Sequence, residues 1–490
     1  VRRAGLIAGA IAVAYLIVAP VSADLAAQSY RAWLFGHAGP ALWDNAWYGG
    51  HPLPGYSVLF PPLGALLGVR LAGALSVVAA AVLFAALVRS RAAAAWFAAG
   101  IALQLLTGRM AFLLGVALGL GALLAAQRGR RAAGPVLAVL TTLASPVAGA
   151  FLAVAGVAWW RRPGLTLAAA AIVPGLCLAV LFPEGGAEPF AAAAFWPALA
   201  ALLALAVLLT GPLRRGALLA AALCLVAFAV ANPLGGNASR LGALFAGPLL
   251  LAFGPRRAAA LALLPVLAYW QLMPPIRDAA VSTGDPATRA SFYAPLLDQL
   301  PAGGRLEVPF TRSHWEARWL AAHVPLARGW QRQLDRERNA LFYDGTLTAP
   351  RYLAWLRENA VARVALPDAR LDASAHREAA LLRAGVPGLR EVWRARHWRL
   401  YRVSRATPTG ARTLTTDGFT VGGPGLVRVR WSPYWAVVAG RGCVRRAPHG
   451  DWTLVTGRAR RVAQRFSLGR GVRQATSGRC APLADIGHSG

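Results

Sequence analysis

Apolar residues run almost unbroken from Val1 to Leu272, in long stretches set apart by short turns that carry arginine. A membrane span needs about 20 such residues. The stretches 4–22, 61–88, 93–107, 110–127, 165–182, 190–209, 216–232, 239–254 and 258–272 each read as one crossing. The stretch 134–159 is broken at Ser145-Pro146 and reads as two short helices meeting there, because proline suits a first helical turn. The pattern predicts about eleven crossings. Short arginine loops mark the cytoplasmic side, which puts the N-terminus inside, as a retained anchor, and the C-terminus outside.

The period changes after residue 272. Segments 314–324, 348–360 and 372–385 have helical spacing, while 305–310, 361–367 and 389–403 alternate like strands. Beyond residue 410 the chain is a series of alternating runs punctuated by Gly and Pro. The expected organisation is a polytopic α-helical membrane domain (1–272), an extracytoplasmic α/β module (273–405) and an extracytoplasmic β-sandwich (406–490).

Charge sharpens this picture. All 51 basic residues other than histidine are arginine, and the net charge is +31. Arginine in short loops of a chain rich in Ala, Gly and Pro reflects base composition, not a nucleic-acid interface, which would pair clustered charge with stacking aromatics. Of the 17 arginines before residue 273, all but Arg31, Arg70, Arg109 and Arg240 fall in the segments read as cytoplasmic. The only four acids of that region, Asp24, Asp44, Glu184 and Glu188, fall in segments read as external. Ionised groups beside hydrocarbon are costly and tend to be functional, so the outer face is where chemistry is expected. Cys177 and Cys224 sit in apolar runs, and Cys443 and Cys480 are able to pair if the C-terminal region is outside the cell.

The stretch 23–60 concentrates the candidates: Asp24 directly off the first span, then Asp44 among Trp33, Trp43, Trp47, Tyr48 and Tyr56, with His37 and His51. Together with the LFPPL run (59–63), this order of features resembles the GT-C glycosyltransferases. Those polytopic enzymes take a sugar from a polyprenyl-phosphate lipid and transfer it at the outer face. The runs GRMAFLLG (108–115), SPVAG (145–149) and NASRL (237–241) are similar to that architecture, and WSPYW (431–435) resembles external regions of the YfhO-like membrane proteins.

The resemblance implies a role for each candidate, and each has a plainer alternative. Asp24 stands at the position of the family's catalytic acid, a general base for the acceptor hydroxyl; alternatively it stabilises the N-terminus of the following helix. Asp44 would position an acceptor hydroxyl or a divalent metal, or is a turn residue. His37 and His51 match no strong metal-ligand spacing. Arg109 and Arg240, with Asn237, would hold the donor phosphate, or the arginines snorkel to the interface. Trp43, Trp47, Tyr48 and His51 would bind substrate; the aromatic residues alternatively form an interfacial belt. The segment 328–345 binds an anionic glycan or docks on the apolar half. The implied partners are a polyprenyl-phosphate-linked sugar, an acceptor glycan or lipid, and membrane lipids. A transporter or flippase, and a non-catalytic envelope assembly factor, are the competing functional classes.

Overall fold

The structure is a computed structural model that describes residues 1–255, 258–300 and 303–469; Arg256, Arg257 and Cys480 lie outside them. The chain forms two compact units, neither continuous in sequence. Unit 1 comprises residues 1–37, 54–284 and 331–337, and unit 2 comprises 38–53, 285–330 and the chain from 338 on.

Unit 1 is helical. In order it contains α1 (Arg2–Val18), α2 (Ala23–Ala38), α3 (Phe60–Leu67), α4 (Val69–Leu87), α5 (Arg91–Leu103), α6 (Met110–Gln127), α7 (Ala133–Ala144), α8 (Pro146–Trp159), α9 (Arg162–Leu181), α10 (Ala192–Leu208), α11 (Gly211–Ala229), α12 (Arg240–Phe253) and α13 (Ala258–Ser282). Large apolar side chains lie open on its surface, among them Leu66, Val180 and Val207, each at least 78% exposed, which fits a membrane location.

The expected eleven crossings are not reached. Among the described residues five helices are long and apolar enough to span: α4, α6, α9, α11 and α13. A sixth span is possible only if α1 and α2 count as one, and they are bent by 81°. The reason is length. Helices α7 and α8 have 12 and 14 residues, about 18 and 21 Å at 1.5 Å per residue, against a hydrocarbon core of about 30 Å. They meet at Ser145-Pro146, where the Ser145 hydroxyl accepts from the Ala148 amide and Pro146 starts the new helix.

Among its described residues unit 2 holds two larger sheets and a short strand pair. β1 (Trp43–Asp44) pairs with β2 (His51–Pro52). β3 (Arg305–Glu307), β4 (Val361–Pro367), β5 (Leu389–Ala395) and β6 (Trp398–Val403) form a sheet of order β3-β4-β6-β5, in which only β3 and β4 are parallel. Helices Ala349–Glu358 and His376–Ala384 supply its core with Tyr352, Leu356, Ala379 and Leu382.

The described residues 406–469 form one antiparallel sheet where a sandwich was expected: β7 (Thr413–Thr415), β8 (Gly418–Thr420), β9 (Gly425–Arg430), β10 (Trp435–Arg446) and β11 (Trp452–Gln464). Its apolar residues Phe419, Val429, Trp435 and Val462 are buried in one cluster with Trp43, which comes from the stretch 38–53. The indole of Trp43 packs edge-on to Trp435 at 5.5 Å, and Asn45 donates to the Thr415 and Gly418 carbonyls. An inserted segment thus helps close the core that a second sheet was expected to provide. Cys443 is disulfide-bonded.

Candidate functional site

The helix ends of unit 1 assemble a polar cluster out of residues far apart in sequence. Asp24 is in the first turn of α2. Its Oδ2 accepts from Arg109 Nε at 2.7 Å, and Arg109 Nη2 reaches Asp278 Oδ2 at 3.2 Å. The three side chains are between 24% and 35% exposed, so the cluster is open to solvent at one side. Gly108 allows this approach: its φ is +76°, and a Cβ there would meet Ser22 Oγ at 2.4 Å and the Leu25 amide at 2.5 Å. The turn before α6 is thereby set against the start of α2.

Arg240 opens α12 and lies within electrostatic reach of Arg109, Asp24, Tyr56 and Glu188. It makes no ion pair with the described residues; its guanidinium stands 5.7 Å from the centre of the Phe112 ring. Asn237 sits in the 3₁₀ turn just before α12. Asp24, Arg109 and Arg240 therefore lie at the N-terminal ends of α2, α6 and α12, where helix dipoles favour negative charge.

The electrostatics follow from burial and neighbours. Burial works against the charge of Arg109, but Asp24 and Asp278 outweigh it and raise its pKa. Burial raises Glu188, with Arg332 the strongest opposing influence. Burial also raises Tyr56, opposed first by Arg31.

Behind Asp24, one face of α2 continues the polar surface. Gln28 and Arg31 follow at i+4 and i+7, and both are buried. Gln28 Nε2 donates to the Tyr56 hydroxyl at 2.5 Å, and the Arg31 guanidinium lies 3.9 Å over the Tyr56 ring. Arg31 Nη2 donates to Gln331 Oε1 at 2.9 Å.

An apolar cavity of about 410 Å³ lies among α4, α6, α8, α10, α11 and α12. Leu120, Phe151, Leu205, Ala220 and Phe245 line it, as does Leu241, the residue after Arg240.

The sequence-predicted residues divide. Asp24, Arg109, Arg240 and Asn237 belong to unit 1, whereas Trp43, Asp44, Trp47, Tyr48 and His51 belong to unit 2. The latter five are at most 4% exposed. Asp44 Oδ1 accepts from the Ala46 amide at 2.9 Å, as in a turn, and Oδ2 lies 3.6 Å from His51 Nε2. Trp47 stacks on His51, and the Tyr48 hydroxyl donates to the Gly329 carbonyl. The structure thus places these residues in a folded core of unit 2. His37 Nδ1 is 2.8 Å from the Trp33 carbonyl. Among the described residues no group of three or more His, Cys, Asp and Glu is placed to hold a metal ion.

Asp24 lies in the first turn of α2, where the plainer expectation places it, and its carboxylate also accepts from Arg109. Asp278 is not among the sequence-predicted residues, because the last apolar stretch ends at residue 272. The helix instead runs through Pro265, Pro274 and Pro275 to Ser282. Gln28 and Arg31 were legible from their spacing to Asp24, a polar stripe on an otherwise apolar helix. No protein-family model matches this chain, and no curated protein or solved structure matches it.

Proposed function

We propose that the chain is a membrane glycosyltransferase that moves a sugar from a polyprenyl-phosphate donor to an acceptor glycan, lipid or protein. The observation that carries this reading is the gathering of one half-exposed carboxylate, Asp24, with Arg109 and Arg240 at three helix N-termini. Arg240, which lacks an ion-pair partner among the described residues, and the helix ends suit a phosphate. The apolar cavity that begins at Leu241 suits the hydrocarbon chain attached to it.

In the proposed transfer, the acceptor hydroxyl loses its proton to the Asp24 carboxylate. The acceptor oxygen forms a bond to the anomeric carbon from the face opposite the phosphate. The carbon–oxygen bond to phosphate breaks, and the leaving phosphate takes the electron pair, its charge held by Arg240 and Arg109. The donor supplies its own leaving group, so a single carboxylate suffices and configuration inverts. Arg109, shared with Asp278, holds the Asp24 carboxylate in place until the acceptor arrives.

The test compares binding of a polyprenyl phosphate and of the unphosphorylated polyprenol to the full chain in neutral detergent. The phosphate binds at least tenfold more tightly, and Arg240→Ala removes most of that preference, as expected for one charge-assisted contact. Equal binding of the two lipids refutes the reading.

A further inference from the structure

One short piece of the downstream sequence folds with the apolar helices. Residues 331–337 belong to unit 1, although 285–330 and the chain from 338 on belong to unit 2. Two sets of contacts hold this piece. On one side, the loop after α9 lies against it through two glycines. A Cβ on Gly185 would meet the Glu337 carboxylate at 2.2 Å, and one on Gly186, at φ +99°, would meet the Gln333 carbonyl oxygen at 2.2 Å. Only a residue without a side chain permits that approach. On the other side, Gln331 accepts from Arg31, and Arg332 is the cation that acts most strongly on Glu188.

The link runs onward to the polar cluster. Arg31 lies over the Tyr56 ring, Tyr56 accepts from Gln28, and Gln28 is one helical turn from Asp24. Gln331, Arg31, Tyr56 and Gln28 are thus joined contact by contact, and Gln28 stands one turn of α2 from Asp24, the carboxylate paired with Arg109. Arg31 is 4% exposed, and taking an acceptor from a buried guanidinium is costly. The nearest acid on its own face of α2 is Asp24, about 10 Å along the helix, and pairing with it would draw the carboxylate away from Arg109.

We infer that residues 331–337 are a positioning strap for the site: Gln331 anchors Arg31, and the anchored stripe of α2 holds Asp24 for Arg109. The candidate site is incomplete without this piece of the downstream half. The inference rests on the proposed function only for the identity of the ligand, a lipid phosphate.

The test uses the full chain in detergent with Gln331→Leu, which removes the acceptor, and Gln331→Glu, which keeps it. Two quantities are read: amide hydrogen exchange across 24–31, and affinity for a polyprenyl phosphate. Gln331→Leu speeds exchange at 24–31 about tenfold and weakens the lipid about tenfold. Gln331→Glu returns both to near the wild-type value. Gly186→Val, which wedges the strap outward, reproduces the leucine variant. Unchanged exchange at 24–31 in Gln331→Leu overturns the inference, as does a glutamate variant that fails like the leucine variant. If the wild-type chain binds no polyprenyl phosphate, the proposed function falls, and the exchange measurement alone decides the strap.

Discussion

Replacing Arg109 with Met removes the cation that Asp24 and Asp278 share while keeping a side chain of similar reach. Its effect is bounded by the exposure of the three groups. Ion pairs in full contact with solvent are worth about 0.2–1 kcal/mol, and breaking a buried one costs about 3–5 kcal/mol. Here the side chains are 24% to 35% exposed and the contacts are 2.7 and 3.2 Å. The Asp24–Arg109 coupling should therefore fall between those limits, at about 1.5–2 kcal/mol, with Arg109–Asp278 smaller because its contact is longer. A double-mutant cycle isolates each term: Arg109→Met, Asp24→Asn and the double variant, then the same with Asp278→Asn. The assay is thermal or denaturant unfolding of the full chain in one detergent, followed by tryptophan fluorescence. A coupling under about 0.5 kcal/mol for Asp24–Arg109 would mean an ordinary surface ion pair. The picture of a cation that organises two carboxylates would then be wrong.

Three further outcomes follow from the positions of single residues. Trp43→Ala should destabilise the chain by about 3–5 kcal/mol, because it empties the apolar face of the five-stranded sheet; loss of cooperative unfolding or of expression would register this, and a near-neutral change would contradict it. Asp44→Ala should cost about 1–3 kcal/mol of stability through the orphaned Ala46 amide, while polyprenyl phosphate affinity stays at the wild-type value; a selective loss of affinity would return Asp44 to the site. His314 is buried with its ring nitrogens 3.4 Å from Asp372 and 3.6 Å from Glu316. Burial opposes its charge, but the neighbouring carboxylates of Asp372 and Glu316 outweigh that and raise its pKa. The stability it contributes is fully present below the ordinary value of about 6.5 and is lost as pH rises through the folded pKa. Melting temperature should fall over that window, and His314→Gln should flatten the profile; identical slopes in the two proteins would contradict the assignment.

The sequence made some features plain and hid others for physical reasons. Apolar runs and the Ser145-Pro146 break marked the helices, because hydrocarbon and proline act locally. They did not show which helices are long enough to cross, since turns at Ala19 and Gly68 cut runs that composition alone leaves whole. Asp24, Arg109 and Arg240 stood out because charge is rare beside hydrocarbon. Asp278 did not, because a double proline usually ends a helix and here does not. The stretch 38–53 looked like part of one external loop with Asp24. Its Trp43 and Asn45 fold instead with the C-terminal sheet, Asn45 donating to Thr415 some 370 residues away. Gln331 lay inside a segment read as docking or glycan-binding, but nothing local pointed to Arg31 as its partner.

The most direct test of the proposed chemistry is made in cells. A deletion strain is complemented with the wild-type chain or with Asp24→Asn, and envelope glycan composition and accumulated lipid-linked sugar are compared at equal protein level. Asparagine keeps the shape and a hydrogen-bond acceptor for Arg109 but is a poor base, so the account predicts loss of the glycan and build-up of the lipid-linked donor. Full complementation by Asp24→Asn would contradict it and leave Asp24 as a structural partner of Arg109.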